Sequence, residues 1–398
     1  MTGENGKINT VLFNSIDEVD EHSWDLINEP ASLYSTHRFL RSVEHSKVEN
    51  AKFWYLMFYC GDTPVGSAAL SAFDVSLDLF MGMNVQKTVK FVRKLYSRFL
   101  KVRILFCGLP VSIAKNTLTI SVTGLANAIL KELVSAMSQI ARAEHIHYIC
   151  AKEFREEETP VADNLKSYGY FRANSIPTVN LPIRWHSFNS YLGDMRHSYR
   201  RQIKINLKKF SNGTSSKGIP HKGNQYYPKI SLHEKGIYSP ADFHRLYMEV
   251  MERAVARMEI LNAEFFSQLN QNLSNELITV SIVYNNLNIG AALLAERGDT
   301  LHFLLVGLDY SYRDKFDVYF NLIYAIIDLA IQNGYSNIDM GQTSYQPKIR
   351  VGGECTPVYF YLKIERYIPN LILKNLRNLI FPMVVPKKYN VFHNDSPG

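Results

Sequence analysis

Asp339, Tyr345 and Lys348 fall in one short stretch, IDMGQTSYQPKIRVGG, residues 338–353. A carboxylate, a phenol and an amine so close in sequence suit acyl transfer to an amine. That reaction needs a neutral nucleophile, charge relief at the tetrahedral oxygen and a proton for the leaving group. Asp339 would orient the amine or accept its proton, or else bind a cap or loop amide. Tyr345 would protonate a departing thiolate or ribose oxygen, or fill the core. Lys348 would meet a phosphate, a substrate carboxylate or the oxyanion, or lie on the surface. Asp309 and Tyr310 are substrate-binding candidates, although an aspartate before an aromatic at a strand end also stabilises turns. Arg313 and Lys315 precede an expected helix start, where backbone N–H groups favour anions. With Leu308 at the strand end and Gln342, they form the set expected to meet a co-substrate. His302 is a further polar candidate. Gly352 and Gly353 permit close backbone approach or turn the chain. No Ser-His-Asp or Cys-His spacing occurs, which favours direct transfer over an acyl-enzyme.

The elements that must hold these residues are legible nearby. A strand ends near Leu308 and a helix starts after Asp317. Phe320, Ile323, Tyr324, Ile327 and Ile331 recur at three- and four-residue spacing, a helical period. Asn333-Gly334 stops that helix, because glycine supplies the left-handed cap. Residues 336–340 then read as a short strand, completing an α/β unit with polar residues at its strand ends, where open sheets bind ligands. Residues 53–59 and 65–73 form a hairpin pattern around Gly61-Asp62, and 277–283 with 289–296 form another. Residues 102–107, 145–151 and 175–181 are further strands, and 357–363 reads as a final alternating strand. Helices are expected over 21–28, 36–46, 124–143, 159–167, 241–253 and 263–271. The second half repeats the element order of the first. The expected division is an N-terminal domain over 1–183, a C-terminal domain with the cleft over 184–380 and a flexible tail over 381–398.

The chain has 398 residues, 46% of them apolar, and a formal charge of +7. That mild excess favours anionic partners through the summed field. The four cysteines form no CxxC pair, so neither a zinc site nor a disulfide framework is expected. The polar start MTGENGKIN lacks a signal-peptide pattern, and no apolar run reaches membrane-spanning length. A soluble cytoplasmic protein is the expectation. Residues 77–80 read as an edge segment, and 85–99 carry lysines and arginines on an apolar frame. Arg196, Arg200, Lys204 and Lys208 recur every four residues in RHSYRRQIKINLKKF, without an acid among them. Unopposed like charges at that spacing cost helix stability. The stripe either solubilises the surface or docks phosphates, so Arg200 and Lys204 join the substrate-binding candidates. Residues 211–228 are a Gly/Ser/Asn/Pro-rich loop. The segment from Pro369 is apolar and basic, and would pack on the sheet, meet another subunit or lie on a membrane.

Three segments resemble the GNAT superfamily of N-acyltransferases, and within it the tandem-domain FemAB-type peptidyltransferases. They are HSYRRQIKINLKKF at 197–210, GLDYSYRDKFDVYFNLIYAIIDLAIQNG at 307–334, and the Asp-x-Gly, Tyr, Lys, Gly ending at 338–353. The resemblance is strongest over 185–365. It implies two tandem GNAT-like α/β domains, each a mixed, mostly antiparallel twisted sheet flanked by helices. The working cleft would lie in the second, between splayed strands. The superfamily's glycine-rich pyrophosphate loop is missing, and SYRDKF takes its place. The main expectation is an N-acyltransferase moving an acyl group from acyl-CoA or an acyl-carrier protein to a small-molecule amine, with no permanently bound cofactor. The alternatives are an aminoacyl-tRNA-dependent transferase, for which no glycine loop is required, and a non-catalytic binding protein.

Overall fold

The computed structural model describes residues 7–28, 32–76, 101–111, 114–212, 228–254 and 259–393. The expectations for 77–80 and 85–99, and nearly all of the 211–228 loop, lie outside these residues.

The described strands are β1 Ile8–Phe13, β2 Lys52–Cys60, β3 Thr63–Ser76, β4 Lys101–Cys107, β5 Leu118–Ile120, β6 Tyr148–Arg155, β7 Phe171–Asn174, β8 Thr178–Pro182, β9 Lys229–His233, β10 Leu277–Tyr284, β11 Leu287–Arg297, β12 Thr300–Leu308, β13 Asn337–Gln342, β14 Glu354–Thr356 and β15 Val358–Ile364. The helices are α1 Glu21–Asn28, α2 His37–His45, α3 Ala126–Ala143, α4 Thr159–Ala162, α5 Phe188–Asp194, α6 His197–Asn212, α7 Pro240–Arg253, α8 Ala263–Leu273, α9 Tyr310–Phe316, α10 Val318–Gln332, α11 Tyr345–Arg350 and α12 Tyr367–Ile380.

The chain forms two compact units. The first comprises Met1–Ile176, Ala256–Leu261 and Pro357–Val384, and the second Pro177–Val255, Asn262–Thr356 and Val385–Gly398. The first sheet runs β1-β2-β3-β4-β6-β15-β7, with β5 also on β3. All of its pairs are antiparallel except β4 with β6. Residues Phe53–Phe58 of β2 are buried at every position, as expected of a strand covered on both faces. One face packs on α3 through Ile129, Leu130 and Leu133. The other gathers Phe73, Phe106, Phe171 and Leu362 with Leu373 of α12.

The second sheet runs β14-β8-β13-β12-β11-β10-β9, and only β12 and β13 are parallel. Helix α10 lies on it with Leu322, Ile323, Ile326, Ile327 and Ala330 buried. Gly334, at φ +72°, ends that helix, and Tyr335 N–H donates to Ala330 O at 3.0 Å. The fold is thus two mixed, mostly antiparallel sheets flanked by helices, the tandem GNAT-like architecture.

Strand exchange between the chain halves changes the expected boundaries. β15, read as the last strand of the second domain, pairs with β6 and β7 in the first sheet. β8, read as the last strand of the first domain, pairs with β13 and β14 in the second. Strand-forming pattern is local, whereas the choice of partner is not. Within the expected flexible tail, residues 391 and 392 are anchored rather than free. Val391 and Phe392 are buried, and Phe392 packs against Trp185 with ring centroids 4.8 Å apart.

Candidate functional site

β12 and β13 pair over three positions only, ending at His302 opposite Asp339. Beyond that point a register shift between Leu293 and Leu294 on β11 marks an irregularity in its pairing with β12. β13 carries its own shift against β8 between Asp339 and Gly341. Such bulges bend strands and re-aim side chains. The parallel pair therefore stops at the Asp339–His302 position, with the rest of both strands unpaired to each other.

Below that point the backbone is strained. Gly341 has φ +68°, and Thr343 and Ser344 follow at +61° and +48°. Non-glycine residues in that region cost on the order of 1–3 kcal/mol each and collect at functional sites. The strained turn feeds α11, a short helix absent from the sequence reading, which presents Lys348 back toward the turn.

Lys348 is 5% exposed. Its Nζ donates to Gln342 O at 2.9 Å and reaches Gly341 O at 3.5 Å, and it lies 5.9 Å from the Phe303 ring centre. Burial drives its ammonium down to about 7, and the negative charge of Asp339 offsets part of that fall. The lysine therefore titrates near neutral pH. Asp339 is also buried. Its Oδ1 accepts from Gly341 N–H at 3.0 Å and from Thr178 Oγ1 at 3.4 Å, and its Oδ2 lies 3.7 Å from His302 Nδ1. Cys355 of β14 completes the surroundings, its thiol pushed up by burial and drawn back by Lys348. Gly353 is required by packing: a Cβ there would sit 2.6 Å from Val179 Cγ1 and 2.8 Å from Lys348 O.

Asp339, Lys348, Gln342 and His302 are thus brought together. Tyr345 stands at the start of α11, half-buried, and its hydroxyl donates to Pro177 O at 3.3 Å. Burial raises its phenol to about 12, so it is neutral and able to donate at ordinary pH. Thr178 and Cys355 were missed from sequence, because each arrives through strand pairing on β8 and β14 and no local pattern marks either.

The remaining candidates form a separate group at the other end of β12. Leu308 is buried in the core. Asp309 caps α9 by accepting from Ser311 N–H at 2.9 Å, which is the turn-stabilising reading of that residue. Tyr310 lies between the Arg253 and Arg313 guanidiniums, 4.3 and 4.8 Å from its ring centre, and its N–H donates to Glu249. Arg313 and Lys315 precede α10, as expected, but lie on a short helix of their own, α9. Arg313 pairs with Asp314 at 2.8 Å, and Lys315 lies over Tyr284 and Phe316. Lys209 reaches Asp317 at the start of α10 at 2.8 Å. The cations of this turn are thus engaged by local acids and rings.

Arg200 and Lys204 lie on α6. With His197, Arg201, Ile205 and Lys208 they line a basic cavity of about 370 Å³. Among the described residues, none of these arginines and lysines makes an ion pair with an acid. Ile203 and Asn206 form the inward face of α6, and Asn206 Nδ2 donates to Tyr324 Oη at 2.9 Å. Among the described residues, no group of three or more His, Cys, Asp and Glu is placed to hold a metal ion.

The second sheet, with one short parallel pair among antiparallel strands, has the GNAT-like fold. The FemAB-like family model, described as peptidoglycan biosynthesis/recognition, matches residues 106–363, and the chain belongs to this family. Among solved structures, the chain is similar to FemX at 13% identity, over 92% of this chain and 99% of that one, with a TM-score of 0.54. A tandem GNAT protein from the clavulanic acid biosynthesis pathway matches at 10% identity, over 90% and 99% of the two chains, with a TM-score of 0.51. A conserved protein of unknown function from Bacteroides thetaiotaomicron matches at 8% identity, over 88% and 99%, with a TM-score of 0.50. At these identities the likeness is one of fold. No curated protein matches the chain.

Proposed function

We propose that the second unit is an amide-forming aminoacyl transferase, taking its acyl group from a charged tRNA and passing it to a primary amine of a peptidoglycan precursor. The observation that carries this reading is Lys348, a buried amine titrating near 7 beside Asp339 where β12 and β13 part. A group with that property exchanges protons at operating pH. The acceptor nitrogen attacks the ester carbonyl, the C–N bond forms and the C–O bond to ribose breaks. Neutral Lys348 takes the proton shed by the amine and returns it to the departing oxygen. Its transient ammonium also offsets charge on the tetrahedral oxygen. Asp339 holds the strained turn through Gly341 N–H and favours the charged lysine.

The donor class rests on two further supports. The family description points to peptidoglycan chemistry. The basic face of α6 suits a polyanion, whereas α9 lacks a glycine-rich phosphate loop and its cations are engaged. An acyl-CoA or carrier-protein donor, with a small-molecule acceptor, is the competing reading.

The test supplies purified protein with total tRNA charged with labelled amino acids, or with acetyl-CoA. The acceptor is a precursor pentapeptide bearing a free side-chain amine. RNase-sensitive, salt-sensitive amide formation is expected with charged tRNA alone. Product from acetyl-CoA and none from tRNA would sink this donor.

A further inference from the structure

Helix α12 is amphipathic in an unusual direction. Its fourteen residues lie against the first sheet, and none of them is buried. Leu373 is the inward contact, beside Phe73, Phe106, Phe171 and Leu362. Asn370 ties the helix start to the sheet, accepting from Ile364 N–H and donating to Gly169 O, both at 2.9 Å. The orientation of the helix on its own unit is therefore fixed.

At the helical period, Ile380 falls on the Leu373 side, and the other six large apolar residues share one half of the circumference. Tyr367 is 79% exposed, Leu379 78% and Ile368 68%, with Leu371, Ile372 and Leu376 also open. Met383 and Val384 continue the exposed apolar surface past the helix end. Isolated surface hydrophobes need no explanation, but a contiguous row on a rigidly held helix marks an interaction site. The charges carried by the helix and the segment after it have one sign. Residues 366–388 contain Arg366, Lys374, Arg377, Lys387 and Lys388 and no aspartate or glutamate. The helix is roughly 21 Å long at ~1.5 Å per residue. Among the described residues, no helix is long and apolar enough to cross a membrane.

We propose that α12 is a monotopic docking helix for an anionic phospholipid surface. It lies in the plane of the interface, with Tyr367, Ile368, Leu371, Ile372 and Leu379 entering the acyl boundary. Arg366 and Lys374 meet lipid phosphates from its flank. A one-sided apolar arc without acids and with basic flanks is the pattern such surfaces select. The proposal is independent of the donor and acceptor suggested for the second unit.

The test is co-sedimentation of the full chain with phosphatidylcholine vesicles, and with vesicles also containing phosphatidylglycerol, at low and high salt. Binding to the anionic vesicles is expected, weakening with salt. Leu371→Asn with Leu379→Asn should abolish it, and Arg366→Gln with Lys374→Gln should lower partitioning on the order of tenfold. Both pairs are exposed, so an unchanged urea midpoint checks that the variants fold. Equal binding to both vesicle types, or binding lost on Arg201→Gln with Lys204→Gln but kept by the α12 variants, overturns the proposal. So does a chain that ignores vesicles and is a dimer which the leucine pair dissociates, because a second copy then covers the face.

Discussion

Replacing Lys348 by methionine removes a buried amine while keeping an unbranched chain of similar length. The fall of its pKa from the ordinary 10.5 to about 7 means that the folded protein disfavours the ammonium. At ~1.4 kcal/mol per pH unit, that fall amounts to roughly 5 kcal/mol of lost stability when the lysine must be charged. The bond to Gln342 O lost in the variant is worth about 1 kcal/mol. The Lys348→Met protein should therefore be more stable than the wild type near neutral pH, by about 1–4 kcal/mol.

The folded-state value is depressed, so between about 7 and 10.5 the unfolded chain holds a proton that the native one lacks. Wild-type stability then rises with pH across that window, and the penalty is complete only below the folded value. Between about pH 7.5 and about pH 9, the advantage of the variant should shrink by about 2 kcal/mol. Urea unfolding of both proteins at the two pH values measures this, and the transfer assay run beside it should register loss of activity. A variant destabilised by about 3 kcal/mol or more at both pH values would refute the reasoning, since that is the mark of a buried ion pair missing one partner. Lys348 would then be a structural counter-ion of Asp339.

Asp339→Asn should lower the transfer rate by about 10²–10⁴-fold. Because Asp339 holds the Lys348 ammonium up, the variant should also move the acid limb of the pH–rate profile to lower pH. Arg201→Gln with Lys204→Gln should weaken tRNA binding and reduce its salt slope by about one to two, read by filter binding over a salt series. Gly307→Ala should cost about 1–3 kcal/mol in urea unfolding. Its new Cβ would lie 2.5 Å from Leu246 Cβ and 2.9 Å from the α7 backbone.

Much of the chain was readable because its signals are local. The apolar period of α10 and its Asn333-Gly334 stop placed that helix, and 357–363 formed the strand its alternation indicates. The short helices α9 and α11 were not legible. Each is a turn or two long and carries no amphipathic period, so the helical turn that carries Arg313 and Lys315 and the route of Lys348 to its buried position were hidden. Asp309 and Tyr310 were found as polar residues at a strand end, but the capping bond to Ser311 and the Arg253 stack that occupy them depend on neighbours distant in sequence.

By itself the sequence determined the order of the longer strands and helices, the basic face of α6 and the proximity along the chain of Asp339, Tyr345 and Lys348. Hydrophobic period, caps and charge spacing are properties of neighbouring residues. Only the tertiary structure decided that β15 completes the first sheet and β8 the second, since any exposed strand edge offers the same backbone donors and acceptors. It also decided that Lys348 titrates near neutrality. Desolvation depends on what surrounds an amine in space, and Phe303 and Cys355 reach that amine through sheet pairing rather than through adjacency in the chain.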